Sequence, residues 1–320
     1  MNLTHPNANI APFGSKEVEQ AAALIRLALA EDLDPCGKPW GKHADATSEA
    51  LIPPKLRGQA ILVSRAKGIV VGIEIARMVF QAADPELVFT PCKRDGDPIL
   101  PGDPIAVIKG PMRGLLLGER TALNFLQRLS GIASWTATHA ELIADLPVVL
   151  LDTRKTTPGW RYLEKFAVRM GKATNHRMSL ADGILVKDNH LAAIAGKDRA
   201  DAGRAAEGAR LARQFSLANG NLSVEIEVDG IDQLATVLLE SPDIILLDNF
   251  STGQLREAVL LRNKVAPGVL LEASGGIRLE NLREVALTGV DRISVGGLIH
   301  QARSIDLALD YCSAGELPGS

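Results

Sequence analysis

Residues 223–249 read SVEIEVDGIDQLATVLLESPDIILLDN. Two short runs of branched apolar residues, 223–228 and 244–247, end in acids or amides, and a helical stretch joins them. That is the grammar of a βαβ unit, in which a strand buried on both faces is followed by a crossover helix and a parallel strand. The unit recurs to either side. VVLL (148–151), ILV (184–186), VLLEA (269–273) and RISV (292–295) are further runs of the same kind, while 201–218 and 252–264 are Ala/Leu/Arg-rich and helical in character.

Every run stops at polar, charged or Gly residues: Asp152 to Lys155, Lys187 to Asn189, Asp229, Asp248-Asn249, Ser274 to Gly276 and Gly296-Gly297. A β/α barrel collects its catalytic groups at the C-terminal ends of its strands. An open doubly wound sheet does so only at a switch point. Six decorated strands favour the barrel, and with six clear strands an incomplete, seven-stranded barrel is as consistent as an eight-stranded one.

Ahead of Pro147 the pattern differs. Residues 17–31 carry apolar positions at helical spacing, and a Pro/Gly-rich stretch, Pro35 to Gly41, ends that pattern. Gly58 to Ile75 reads as strands, and Asp95 to Ile108 repeats Asp/Gly/Pro turns around short apolar runs. Leu115 to Leu146 reads as helix, with a break expected near Ser130-Gly131. The resulting plan is a flexible tail over 1–16, an N-terminal α+β sandwich-like domain over 17–128 and the β/α barrel over 129–305. It leaves 306–320 as a C-terminal segment free to pack back on the N-terminal domain.

Composition narrows the function. With 35 Lys+Arg against 38 Asp+Glu the formal net charge is −3, unlike the basic face of a general nucleic-acid binder. Aromatics at 4% supply no base-stacking platform. No apolar run reaches the roughly 18 residues of a membrane span, and Met1 to Phe13 carries no signal-peptide pattern. Cys36, Cys92 and Cys312 are scattered without CxxC spacing, so a cytoplasmic protein without disulfides or zinc is expected.

The charges are unevenly spread. Residues 152–187 hold eight Lys/Arg and three Asp/Glu, a net +5 inside a chain of −3. Arg161, Glu164, Lys165 and Arg169 share one helical stretch and read as a solvated face. Arg154, Lys155, Arg177 and Lys187 lie at strand ends or in loops, where a barrel has its mouth. Several cations converging there call for a multiply charged anion. SGGI (274–277) follows one strand and opens a helix, and Gly296-Gly297 follows the next, as phosphate cradles do late in a barrel. The bland alternative is two tight turns.

Glu225 and Glu227 are two apart in one strand and face one way, and Asp248 ends the next strand. Such carboxylates suit Mg²⁺, ribose hydroxyls or a cationic transition state, with structural ion pairs as the alternative. His176, in TNHR, gains interest from its loop and from Arg177, while His190 and His300 flank other strand ends.

These motifs in order, GERTALNFLQRLSGIAS (118–134), LDTRKTTPGWRYLEKFAVRMGKATNHRMSLADGILVKDNH (151–190), VEIEVDG (224–230), ILLDNF (245–250), EASGGI (272–277) and GVDRISVGGLIH (289–300), strongly resemble the quinolinate phosphoribosyltransferase family. The resemblance runs from about Glu17 to Leu309. It implies an N-terminal α/β domain with an incomplete β/α barrel in a homodimer, higher oligomers being possible. It implies Mg²⁺-dependent phosphoribosyl transfer from PRPP to quinolinate, releasing pyrophosphate and CO₂ and forming nicotinate mononucleotide for NAD synthesis.

By motif position, the resemblance makes Arg154, His176, Arg177 and Lys187 the pocket for the two quinolinate carboxylates. Lys155 would sit between substrate and pyrophosphate, and Arg120 would reach the neighbouring subunit's site. Glu227 and Asp248 would serve ribose and Mg²⁺, and Ser274, Gly275, Gly276, Gly296 and His300 the 5′-phosphate. The chain departs from the family at Lys172-Ala173, at Ser179 and in an insertion over Pro35 to His43. Two other readings stand beside it: the related pyrophosphorylase-like protein of molybdenum-transport gene clusters, and a non-catalytic phosphate-binding barrel.

Overall fold

The computed structural model describes residues 13–33, 45–194 and 201–312. The tail over 1–12 and the Pro35 to His43 insertion lie outside the described residues. In chain order the elements are α1 (Ser15–Leu33), α2 (Ala46–Leu51), β1 (Arg57–Ser64), β2 (Gly68–Ile69), α3 (Ile73–Ala83), β3 (Val88–Pro91), β4 (Pro98–Ile99), β5 (Pro104–Pro111), α4 (Met112–Leu142) and β6 (Val149–Leu151). There follow α5 (Arg161–Met170), β7 (Ile184–Val186), α6 (Asp188–Ile194), α7 (Asp201–Ala218), β8 (Val224–Val228), α8 (Ile231–Leu239), β9 (Ile244–Asp248) and α9 (Thr252–Val265). The chain closes with β10 (Leu270–Ser274), α10 (Leu279–Ala286), β11 (Arg292–Ser294), α11 (Gly297–His300) and β12 (Leu307–Cys312). Two compact units interleave along the sequence. The described part of one comprises 13–33, 45–137, Thr157–Lys172 and 301–312, and that of the other Thr138–Thr156, 173–194 and 201–300.

The first unit contains an antiparallel sheet ordered β12-β1-β5-β3. β1 is one of its two inner strands: Ile61 lies opposite Val107 on one side and Asp310 on the other. The strand expected to run on to Ile75 stops earlier. Asp95 Oδ1 accepts the N–H groups of Gly72 and Ile73 at 2.8 and 3.0 Å, and this cap starts α3 at Ile73. Ile73, Ala76, Val79 and Phe80 then bury one face at helical spacing.

The break expected near Ser130-Gly131 does not occur, because α4 runs unbroken for 31 residues. Both residues serve contacts instead. Ser130 Oγ accepts the Val71 N–H at 2.9 Å, and a Cβ at Gly131 would lie 2.9 Å from Ser304 Cα. The solvated face expected on α5 is also absent: Glu164 and Lys165 are fully buried. Glu164 accepts the Thr157 N–H and hydroxyl, each at 2.8 Å, and pairs with Arg128 at 2.8 Å. A buried carboxylate supplied with that many donors is tolerated.

The second unit is a parallel sheet ordered β6-β11-β10-β9-β8-β7, made of the six strands read from sequence, with helices between them. Thr174 adds a single parallel bridge outside β6, at Leu151. The sheet thus has a rudimentary seventh position at one edge, and it curls into an incomplete β/α barrel. Residues 175–183 carry the chain from that edge to β7 at the other.

At the strand starts, acids tie the barrel down. Asp291 Oδ2 accepts the Leu271 N–H at 2.8 Å and pairs with buried Arg262 at 2.7 Å. Asp243 Oδ2 accepts the Val224 N–H at 2.8 Å. Polar groups at that end read as stability, and those at the opposite end as chemistry.

Candidate active site

The C-terminal strand ends of the barrel unit gather most of the residues expected there. Asp152, which follows β6, is fully buried. Its carboxylate accepts the His176 N–H at 2.8 Å and the Asn175 amide at 2.7 Å, fixing the start of the 175–183 crossing. The next residues, Arg154 and Lys155, leave the strand for the mouth.

Arg154 and Arg177 are held close together. Burial, and then the positive charge of Arg154, push Arg177 below the usual guanidinium value, and Glu225 and Asp182 offset this only in part. Arg154 also keeps a buried Nε with no hydrogen-bond partner. Two neighbouring cations that repel one another, one with an unused donor, form a site stabilised by an anion.

Gly296 closes the turn after β11. A Cβ there would lie 3.0 Å from Lys155 Cδ, 3.4 Å from Thr153 Oγ1 and 3.5 Å from His300 Nε2. The glycine leaves room for the Lys155 stem to cross this turn, and it brings Lys155 and His300 to one place. Gly275 (φ 82°) and Gly276 (φ 63°) follow β10 in left-handed backbone. A Cβ on Gly275 would fall on the Asn249 carboxamide. Ser274, Gly275 and Gly276 line a cavity of about 330 Å³ together with Asn249, Ser251 and Thr252.

Glu227 and Asp248 line a separate cavity of about 230 Å³ with Asp188 and Asp229. Lys187 pairs with Glu227, so the expected quinolinate cation and the expected ribose carboxylate already neutralise each other. Asp248 Oδ2 accepts the Asn249 amide at 2.7 Å. His190 Nδ1 accepts the Lys187 N–H at 2.9 Å, which fixes the turn after β7.

His176 is placed differently from the expectation of a pocket residue. Its Nε2 faces Glu225 Oε2 at 3.2 Å and Glu272 Oε1 at 3.4 Å inside the barrel. Its Nδ1 accepts the Arg177 N–H at 2.8 Å. Burial opposes charge on the imidazole, but the two carboxylates outweigh it and raise His176 to about 9. Glu272 is held below the usual carboxylate range by His176 and Arg292 despite its own burial. Arg292 Nε donates to Glu272 Oε2 at 2.8 Å across the β10–β11 register.

Sequence reasoning did not single out Glu272 or Arg292. The signal available was a lone charge in each of two otherwise apolar strands that pair side by side. Arg120 lies exposed on α4, in the first unit.

A curled parallel sheet that sets repelling cations, glycine turns and a carboxylate-lined cavity at its strand ends defines an anion-handling β/α barrel. Comparison with known proteins makes the class specific. The pattern described as "Quinolinate phosphoribosyl transferase, C-terminal domain" matches residues 132–310, and that of the N-terminal domain matches 45–130. The chain belongs to the quinolinate phosphoribosyltransferase family.

It is 39% identical over 297 residues to the nicotinate-nucleotide pyrophosphorylase (carboxylating) of Mycobacterium leprae, covering 92% of this chain and 98% of that protein. It is 34% identical over 302 residues to the decarboxylating quinolinate phosphoribosyltransferase 1b of Nicotiana tabacum, covering 89% and 81%. Its fold matches the solved nicotinate-nucleotide pyrophosphorylase of Francisella tularensis with a TM-score of 0.81 at 33% identity, over 92% of this chain and 96% of that one.

Proposed function

We propose that the protein transfers the phosphoribosyl group of PRPP to the ring nitrogen of quinolinate. The products are nicotinate mononucleotide, pyrophosphate and CO₂, on the route to NAD. The observation that carries this reading is Arg154, with a buried Nε that has no hydrogen-bond partner, set against the positive charge of Arg177 at the strand ends of the barrel unit that also carries Glu227 and Asp248.

The residues divide the work. Arg154 and Arg177 hold the quinolinate carboxylates, and Lys187 adds a third charge when it leaves Glu227. Lys155, laid across Gly296, meets the pyrophosphate. Ser274, Gly275, Gly276, Gly296 and His300 take the 5′-phosphate. As the C1′–O bond to pyrophosphate breaks, Glu227 and Asp248 stabilise the cationic C1′. The ring nitrogen then bonds to C1′. The C2–carboxylate bond breaks with its electrons left on C2, where the adjacent quaternised nitrogen stabilises them until water supplies a proton. No general base is needed.

Four carboxylates around one cavity, Asp188, Glu227, Asp229 and Asp248, are hard oxygen donors of the kind Mg²⁺ takes. Glu227 and Asp248 would hold it, and it would neutralise the pyrophosphate of PRPP. The protein works as a homodimer with Arg120 reaching the neighbouring site, a role its exposure on α4 permits. Mixing Arg120→Ala with Lys155→Ala should restore partial activity in heterodimers. Activity absent from every mixture would overturn the shared site. A cytoplasmic location suits such an enzyme, and no helix among the described residues is long and apolar enough to cross a membrane.

Incubation with PRPP, Mg²⁺ and quinolinate tests the reaction, with nicotinate as the control. Nicotinate mononucleotide should form from quinolinate alone. Product from nicotinate, or from neither acid, would overturn the assignment.

A further inference from the structure

We propose that His176 is a positioning residue: it directs its Nε2–H at Glu225, with Glu272 beside it, and thereby locks Arg177 at the barrel mouth. This rests on the reading of Arg177 as a quinolinate cation.

Both ring nitrogens of His176 are already taken. Nε2 lies 3.2 Å from Glu225 Oε2 and 3.4 Å from Glu272 Oε1, and Nδ1 accepts the Arg177 N–H at 2.8 Å. Its carboxylate partners come from strands that do not touch each other, since β9 separates β8 from β10. The histidine is a strut from the 175–183 crossing to two central strands.

The strut is tied at each end. Glu272 is fully buried and is held by Arg292 of β11 at 2.8 Å. Glu225 is nearly fully buried, and its Oε1, like Glu272 Oε1, has no hydrogen-bond partner, so the positive charges of His176 and Arg177 compensate the pair. On the loop side, Asp152, just after β6, accepts the His176 N–H at 2.8 Å, and Arg177 Nη1 donates to the Gly183 carbonyl at 3.2 Å. Arg177 is thus held through its backbone by His176 and through its guanidinium by the far end of the same crossing. Breaking the strut frees the residue that faces the Arg154 charge, and Arg177 will swing from it.

The three ligand atoms of His176, Glu225 and Glu272 lie within 4.8 Å of one another, a spacing a divalent cation can use. The adjoining guanidinium of Arg292 and the nearby Arg177 favour a proton over a dication there.

The test separates positioning from contact. A Gln amide can reproduce the Nε2–H donor, whereas Leu cannot. We expect His176→Leu, Glu225→Gln and Glu272→Gln each to raise the KM for quinolinate about tenfold or more, with the KM for PRPP within twofold of wild type. His176→Gln should stay within threefold for both. The double variant His176→Leu with Glu272→Gln should be no worse than His176→Leu alone, because the pair acts as a unit. Equal losses in Gln and Leu, equal effects on both substrates, or additive losses would overturn the proposal.

Nitrogen NMR of the unmodified protein gives a readout independent of folding variants and of activity. Nε2 should be protonated throughout pH 6–8 without substrate, and a neutral Nδ1–H tautomer would overturn the proposal. An inactive wild type that shows the Nε2–H state would sink the catalytic reading and leave the strut standing. Metal analysis of the purified protein should find no stoichiometric ion bound through His176, and one lost on His176→Gln would also overturn it.

Discussion

Replacing Gly275 with Ala strikes the backbone that sets the turn after β10. The residue has φ 82°, where an L side chain costs about 1–2 kcal/mol. The added Cβ would also fall on the Asn249 side chain and lie 2.9 Å from the Asn249 backbone nitrogen. That nitrogen cannot retreat freely, because its N–H donates to the Ser274 carbonyl at 2.9 Å. Forcing an atom into a packed site costs about 1–3 kcal/mol more. The sum is roughly 2–5 kcal/mol, or a fall in Tm on the order of 10 °C for a protein of this size.

Gly276 is the internal comparison. Its φ of 63° carries the same backbone penalty, yet a Cβ there meets nothing nearer than Asn249 Oδ1 at 4.0 Å. Gly276→Ala should therefore cost only about 1–2 kcal/mol. Calorimetry on the two variants reads the difference directly. The kinetic consequence should follow the same order, because Asn249 donates to Asp248 at 2.7 Å and a displaced Asn249 carries that carboxylate with it. We expect KM for PRPP to rise more in Gly275→Ala than in Gly276→Ala. Equal stability of the two variants, or a Gly275→Ala protein as stable as wild type, would overturn the packing argument.

Other outcomes are expected from the same geometry. Gly296→Ala places a Cβ 3.0 Å from Lys155 Cδ, a flexible stem, so Tm should move by only a few degrees while kcat falls about tenfold or more; unchanged kcat would remove Lys155 from the chemistry. Arg154→Met removes one of two repelling cations and a buried orphan donor worth about 1 kcal/mol, so the free protein should become slightly more stable while KM for quinolinate rises about a hundredfold. A destabilised variant would contradict the charge imbalance.

His176 is raised from 6.5 to about 9, so the stability it supplies is complete below pH 6.5 and is lost as pH climbs through 9. That rise bounds it at about 3 kcal/mol, less what the Arg177 N–H at Nδ1 takes back. Thermal unfolding from pH 6 to 10 should show this loss in wild type and a flatter profile in His176→Gln; identical slopes would contradict it.

The barrel was legible because its strands are short and buried on both faces. A run such as Ile244 to Leu247 has no alternation to mislead, and Asp248 marks its end. The mouth was legible for the same reason, since a polar residue after such a run has only the strand end to occupy. The first unit was harder. Ser130-Gly131 looks like a break, yet the serine serves another segment's backbone and the glycine admits residues 303–304.

Four charges on α5 look like a solvated face, because helical periodicity cannot show that Thr157 and Arg128 supply Glu164 inside the fold. Glu272 and Arg292 stayed hidden for the converse reason. A single charge in an apolar strand gains meaning only from its neighbour in register, and register is not written in the sequence. His176 was found as a residue, but its direction was not, because only the curled sheet brings β8 and β10 to either side of one imidazole.

The most direct measurement follows a label. Quinolinate carrying ¹³C in the carboxylate at ring position 2 is incubated with PRPP, Mg²⁺ and the protein, and CO₂ and nucleotide are counted together. We expect one labelled CO₂ for each nicotinate mononucleotide formed, with no label left in the nucleotide. Nucleotide that retains the label, CO₂ without nucleotide, or no turnover at all would contradict the proposed reaction.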